Sequence, residues 1–208
     1  DPYLSFPSLP PENTKGFVIP YRDCPLDKDK VGEMVYIDIL NRAKNYVHIM
    51  TPYLILDGEM ETAIRFAAER GVEVKIILPG VPDKLSPYSL AKSHYAALMD
   101  SGVQIYEYKP GFIHAKVFVC DDVYATVGTI NLDYRSLYLH FECACYIYKN
   151  RVINEIQKGI LAISQKEEPF DVFICYKETD NNGRRTQDSV LATELYHELT
   201  KEGFKVFF

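Results

Sequence analysis

The sequence predicts an α/β fold layered around one sheet, and three observations predict it. Short apolar runs alternate with amphipathic stretches between residues 30 and 108. Glycines punctuate the ends of those stretches, at Gly71 and Gly102. Beyond residue 113 the rhythm changes, and three apolar runs follow in close succession with short connections. The first pattern is that of strands joined by helices, and the last is that of hairpins added to the same sheet.

Residues 1–29 are rich in Pro and polar groups around the run VIPY and read as an extended arm. Over 30–43, Val31, Val35, Ile39, Leu40 and Ala43 recur at helical spacing, which predicts an amphipathic helix. YVHIM at 46–50 is a strand. GEMETAIRFAAERG at 58–71 is a helix closed by a glycine. VEVKIILP at 72–79 is a strand, and SPYSLAKSHYAALMDSG at 86–102 a helix with Ser86 as N-cap and Pro87 in its first turn. VQIYEY is a strand, and HAKVFVC, DVYATVG and FECACYIY are the hairpin strands. Residues 150–165 form a closing helix.

A charged seam, QKEEP, follows at about 165–169. After it, FDVFICY, a polar loop, SVLATELYHELTKEG and FKVFF give strand, loop, helix and strand. A lone unit of that size buries little core, so it reads as the opening of a second domain. The expected domains are 1–165 and 169–208.

The hydrophobic fraction of 47% is enough for a real core, and the Pro and Gly content gives no sign of wholesale disorder. A net charge of -6 repels nucleic-acid backbones on average and weighs against a dedicated nucleic-acid binder. The cysteines, Cys24, Cys120, Cys143, Cys145 and Cys175, are odd in number, form no CxxC pair and fall mostly in apolar runs. They read as reduced core residues in a cytosolic setting, and no Cys/His cluster has zinc-ligand spacing. No run approaches the ~20 apolar residues of a membrane span. The start, DPYLSF, has no Met and no signal-peptide pattern, so any membrane anchor is expected upstream.

The chemistry concentrates in His114, Lys116 and Asp121, followed by Gly128, Thr129 and Asn131. His114 and Lys116 are two apart, which on a strand puts them on one face. The Gly-Thr-x-Asn segment can bring a hydroxyl, a carboxamide and backbone N–H groups to the same rim. An imidazole, an ammonium and neutral donors together suit a phosphate ester whose transition state gathers charge on non-bridging oxygens. Taken singly, each residue has a plainer reading: an edge-strand lysine, an aspartate opening a turn, a turn glycine. The joint spacing is what singles them out.

This spacing resembles the HKD motif of the phospholipase D superfamily. The flanks YVHIMTPYLILDGEM, GVEVKIILPG, SGVQIYEYKPGFIHAK and VGTINLDYRSLYLHFE are similar to the second half of bacterial cardiolipin synthases, over about residues 15–160. The resemblance implies an α-β-α sandwich with a mixed sheet, and a two-step phosphatidyl transfer that needs no metal or other cofactor. It implies that His114 is a nucleophile or proton donor and that Lys116 and Asn131 hold phosphate oxygens, assisted by Thr129 and Gly128. Asp121 belongs to the catalytic motif but is expected to support local structure rather than touch substrate. By the same resemblance Glu142 stands where a carboxylate orients a catalytic histidine, against the plainer reading of a solvated strand glutamate, and Tyr53, in TPY, stands at a strand end near the active site, against that of a packed tyrosine. Tyr134, Arg135, Leu137, Tyr138 and Leu139 are candidates for a lipid-facing rim.

Such enzymes use two facing HKD motifs, and this sequence has one. The partner half-site is expected in a missing N-terminal half or in a homodimer mate. The implied substrate is phosphatidylglycerol at a membrane surface, with the full-length protein at the bacterial cell membrane and this fragment soluble on the cytoplasmic side. No nucleic acid is expected as partner. The rivals are a homodimeric phosphodiesterase or nuclease and a signalling or defence module. The last arises because FDVFICY and GFKVFF, around a polar loop with Gly183, Arg184 and Arg185, resemble the opening of a Toll/interleukin-1 receptor (TIR) domain, of flavodoxin-like fold.

Overall fold

The computed structural model describes residues 15–164, 172–173 and 186–207. The first part of the N-terminal arm, the seam at 165–169, Cys175 and the Gly183–Arg185 loop lie outside the described residues.

The main unit is a seven-stranded sheet. Its strands are β1 (Phe17–Asp23), β2 (Tyr46–Met50), β4 (Glu73–Pro79), β5 (Gln104–Tyr108), β6 (Val117–Cys120), β7 (Tyr124–Gly128) and β9 (Glu142–Tyr148). A small pair, β3 (Leu54–Ile55) and β8 (Leu132–Asp133), stands apart from it. The order is β1-β9-β7-β6-β2-β4-β5. Helices α1 (Val31–Arg42), α2 (Gly58–Glu69) and α3 (Leu85–Asp100) precede β2, β4 and β5 respectively. Those three strands run parallel, as helical crossovers require. β6, β7, β9 and β1 pair antiparallel in succession, and β6 also runs antiparallel to β2. The sheet is therefore mixed.

Strand alternation assigns the two faces. Val47 and Ile49 of β2 and Phe118 and Cys120 of β6 enter the core shared with α1, α2 and α3. Met50, Val117 and Val119 point the other way and pack with Ile153 and Ile160 of α5 (Val152–Ser164). The result is an α-β-α sandwich. At its centre Tyr36 stacks on Phe118, with ring centroids 4.1 Å apart, and the Tyr36 hydroxyl donates to the Ile130 carbonyl at 2.8 Å. That bond ties α1 to the loop carrying Thr129 and Asn131.

Several local expectations change. The arm around VIPY is an edge strand, and Pro20 fits it because β1 pairs on one side only, with β9. α3 starts at Leu85 after Lys84, without a side-chain cap, so Ser86 lies inside the helix rather than capping it. α2 is capped by Asp57, whose carboxylate accepts from the Met60 amide. Cys120 is buried, whereas Cys143 is exposed because it lies on the odd-numbered side of β9, ahead of Cys145 and Ile147, which pack under α5. Cys24, Cys120, Cys143 and Cys145 are all free thiols. Among the described residues no helix is long and apolar enough to cross a membrane. Further along, β10 (Val172–Phe173) pairs in parallel with β11 (Val206–Phe207), and α6 (Gln187–Lys201) lies between them in sequence.

Beneath α5, His48 is buried. Its Nδ1 faces the Gln157 amide at 2.7 Å and its Nε2 faces Glu73 at 2.9 Å. An Nδ1 that accepts from the Gln157 amide leaves Nε2 to donate to the carboxylate, which is the neutral tautomer. Burial holds this imidazole below its ordinary value of 6.5. The stability it contributes is present above that pH and is lost as pH falls through the lowered folded value. Glu33 runs in the opposite sense, since burial raises it to about 7 and its contribution fades as pH rises toward that value. Comparing wild type with His48→Gln isolates the histidine: the wild-type advantage in denaturant unfolding should grow from about pH 5 to about pH 7.5. An advantage that does not change with pH would refute the buried neutral imidazole.

Candidate active site

β6 and β7 form a hairpin whose open end carries the motif. The ladder closes at Val117 opposite Val127, and one further bond runs from the Gly128 amide to the Lys116 carbonyl at 3.2 Å. His114 and Lys116 therefore lie in the extended lead-in to β6, one step outside the strand expected to hold them. Gly128 needs no left-handed conformation. A Cβ there would collide with Ala144 and with the Cys143 carbonyl, so glycine is what lets β7 lie close against β9.

The loop after Gly128 crosses beside the end of β2. The Thr51 hydroxyl accepts from the Leu132 amide at 3.2 Å and donates to the Tyr53 carbonyl at 2.9 Å, and Leu54 pairs with Leu132. These bonds bring TPY, the Thr129–Asn131 loop and the His114 lead-in to one rim. They enclose a cavity of about 750 Å³ lined by His114, Lys116, Gly128, Thr129, Asn131, Glu142 and Tyr53.

The chemistry inside is graded from exposed to buried. The His114 ring is exposed and stacks beside Phe112, with centroids 5.8 Å apart. Lys116 is 8% exposed, and its Nζ donates to the His114 carbonyl at 2.6 Å. Burial pushes its ammonium below the usual lysine value, opposed by the nearby Glu142 and Asp133 carboxylates. The Asn131 amide donates to the Ser136 hydroxyl at 3.0 Å and has a second N–H left for a ligand. The Ser136 amide in turn donates to Asp133, the cap of α4 (Tyr134–Tyr138).

Glu142 is buried and engaged twice. One oxygen accepts from the Thr129 hydroxyl and the other pairs with His140 Nδ1 at 3.0 Å. The carboxylate expected to orient a catalytic histidine thus holds His140, and no described side chain hydrogen-bonds the His114 ring. His140 also lines the cavity. Sequence reasoning passed over it, although the spacing His140-x-Glu142 carried the signal. Tyr53 donates to Asp83 at 2.6 Å, which is the main reason its phenol is raised to about 12. Among the rim candidates, Leu137 is buried, whereas Tyr134, Arg135 and Leu139 are at the cavity wall and exposed.

Asp121 is separated from this group. It follows β6 at the end opposite Lys116, and its carboxylate accepts the Lys44, Asn45 and Tyr46 amides at 2.7, 2.9 and 2.8 Å. It does not line the cavity. Asp121, grouped by the motif with His114, Lys116 and Asn131, is not brought to the cavity with them, and its observed contacts are with the backbone leading into β2.

Residues 36–163 match the family described as "Cardiolipin synthase, PLD-like domain". The chain belongs to this family. Cardiolipin synthases of Geobacillus thermodenitrificans and Clostridium perfringens are 34% and 42% identical to it over 81% and 69% of this chain. An uncharacterized protein of Streptococcus mutans is 58% identical over 86% of it. The chain spans about a third of the length of these relatives. Among solved structures, the phospholipase D family member Nuc from Salmonella typhimurium covers 75% of the chain and is itself 99% covered, with a TM-score of 0.62 at 17% identity. The phosphatidylserine synthase of Haemophilus influenzae covers 90% of the chain, with 47% of its own length matched and a TM-score of 0.59 at 18% identity. These two likenesses show the fold of this cardiolipin synthase-type, phospholipase D-like domain.

Two substitutions test the wiring of the domain. Thr129→Ser should hold stability within about 0.5 kcal/mol, whereas Thr129→Val, which strips Glu142 of a donor, should cost about 1–2 kcal/mol in denaturant unfolding. Equal stability of the two variants would disprove the bond's role. Asp121→Ala removes the acceptor of three amides and should cost about 2–3 kcal/mol. A melt unchanged from wild type would show that those contacts carry no weight.

Proposed function

We propose that this chain is one half-site of a phosphatidyltransferase of cardiolipin synthase type, acting on phosphatidylglycerol at a membrane surface. The observation that carries this reading is the convergence of His114, Lys116, Thr129 and Asn131 on one cavity whose wall also holds Glu142. A ring nitrogen of His114 attacks phosphorus, and the bond to the glycerol oxygen breaks. A second imidazole, from a further HKD half-site in a longer protein or a second copy of the chain, protonates the departing alkoxide. The same imidazole then takes the proton from the hydroxyl of an acceptor phosphatidylglycerol, which displaces His114 from phosphorus. Two phosphatidylglycerols become cardiolipin and glycerol, and no atom is unaccounted for. Water in place of the acceptor would give phosphatidic acid instead.

Lys116 suits the first step. Its charge is partly desolvated, so its pull on non-bridging oxygens is stronger than that of an exposed lysine. Asn131 and Thr129 add neutral donors. Tyr53 closes the wall, and Asp121 contributes through the backbone it holds. For residues 169–208 the proposal retains the opening of a TIR-like unit, supported by the parallel pair β10 and β11 with α6 between them in sequence.

Phosphatidylglycerol turnover in mixed micelles, with lipid products identified by mass spectrometry and the protein's mass in solution measured alongside, tests the reading. Cardiolipin should form wherever a second half-site is present, and His114→Ala should lower the rate by at least about 10³-fold with the fold retained. Turnover that survives His114→Ala would remove this histidine from the mechanism, and cleavage of single-stranded DNA in place of lipid would favour the nuclease alternative.

A further inference from the structure

The cavity wall carries three basic side chains and two carboxylates. Besides Lys116, it carries Lys84, just before α3, and Arg135, in α4. Both are exposed, and neither makes an ion pair among the described residues. The carboxylates around them are already engaged. Asp83 accepts from the Tyr53 hydroxyl, Asp133 caps α4 through the Ser136 amide, and Glu142 holds Thr129 and His140. The bond from Tyr53 to Asp83 holds the neighbouring Lys84 on the TPY side of the cavity, and Arg135 lines the same wall.

We propose that Lys84 and Arg135 form a second anion subsite, which receives the phosphodiester of the acceptor phospholipid. The proposal rests on the reading of the His114 cavity as a phosphatidyl-transfer site. In the product of that reaction two phosphates flank one glycerol, so donor and acceptor phosphates must share one cavity. A volume of about 750 Å³ admits both. Exposed apolar side chains stand beside the two cations: Leu85 is 77% exposed, Leu139 62% and Tyr134 55%. Such a rim suits acyl chains at an interface and favours a lipid over a polynucleotide. An anionic acceptor drawn to this corner would compete with water for the phosphohistidine, so the two cations would favour transfer over hydrolysis.

The test uses soluble headgroup probes and the whole chain, followed by chemical-shift titration. Glycerol bisphosphate, with a phosphate on each primary hydroxyl, should bind at least about tenfold tighter than glycerol monophosphate. Lys84→Gln/Arg135→Gln should erase that preference while monophosphate binding persists. Lys116→Met should weaken binding of both probes. Equal binding of the two probes by wild type, or a preference that survives the double substitution, overturns the subsite. Monophosphate binding that survives Lys116→Met overturns the phosphate cradle and leaves the subsite standing. A short oligothymidylate bound through Lys84 and Arg135 more tightly than the bisphosphate would assign this corner to a polynucleotide and overturn the lipid proposal.

Discussion

The bond from the Gly128 amide to the Lys116 carbonyl sets the geometry on which the site depends. It is the last rung of the β6–β7 hairpin, and it joins the incoming His114–Lys116 segment to the outgoing Thr129–Asn131 loop. The rung forms only because β7 lies flush against β9, and β9 comes that close only where β7 has no Cβ. A side chain at position 128 would push β7 from β9, and so move Thr129, just after β7, away from Glu142. One missing methyl group thus sets the spacing of the hydroxyl, the carboxylate and the ammonium.

Within that frame the charges are arranged to keep Lys116 ionised at a tolerable cost. A nearly buried ammonium loses hydration, and the His114 carbonyl supplies one acceptor at 2.6 Å. Glu142 and Asp133 offset part of the loss from a distance. Neither neutralises it by contact, because Glu142 is held by Thr129 and His140, and Asp133 by the Ser136 amide. The ammonium keeps unfilled capacity for an anion, which a direct salt bridge would have consumed.

The sheet was legible where the sequence repeats a local rule. β2 and β4 announce themselves by apolar runs, α1 by helical periodicity, and α2 by a segment closed with a glycine. Gly71 and Gly102 do adopt the left-handed conformation. β1 was not legible as a strand, because Pro20 and exposed Phe17, Val18 and Ile19 hide it and its partner β9 lies over a hundred residues away. β3 and β8 are two-residue pairings made by tertiary contact, with no periodicity to read. At the site, the spacing of His114, Lys116, Gly128, Thr129 and Asn131 identified a cluster that the fold brings to one cavity. The partner of Glu142 was only weakly legible, because the two-residue spacing from His140 brings the groups together only in some backbone conformations, and His140 lies in the bend just ahead of β9.

Asp121 shows why a motif residue need not be near the chemistry. Its carboxylate gathers three successive amides just ahead of β2, and so pins the start of β2 to the end of β6. The strands are antiparallel, with Val47 opposite Cys120 and Met50 opposite Val117. Fixing one end of that ladder fixes the other. A slip of one residue would reverse every side chain on β2 between the two cores and carry Thr51 away from the Leu132 amide. The loop bearing Asn131 would then lose its anchor beside TPY. The aspartate therefore acts at the length of a strand, and its spacing from Lys116 is the length of β6 itself.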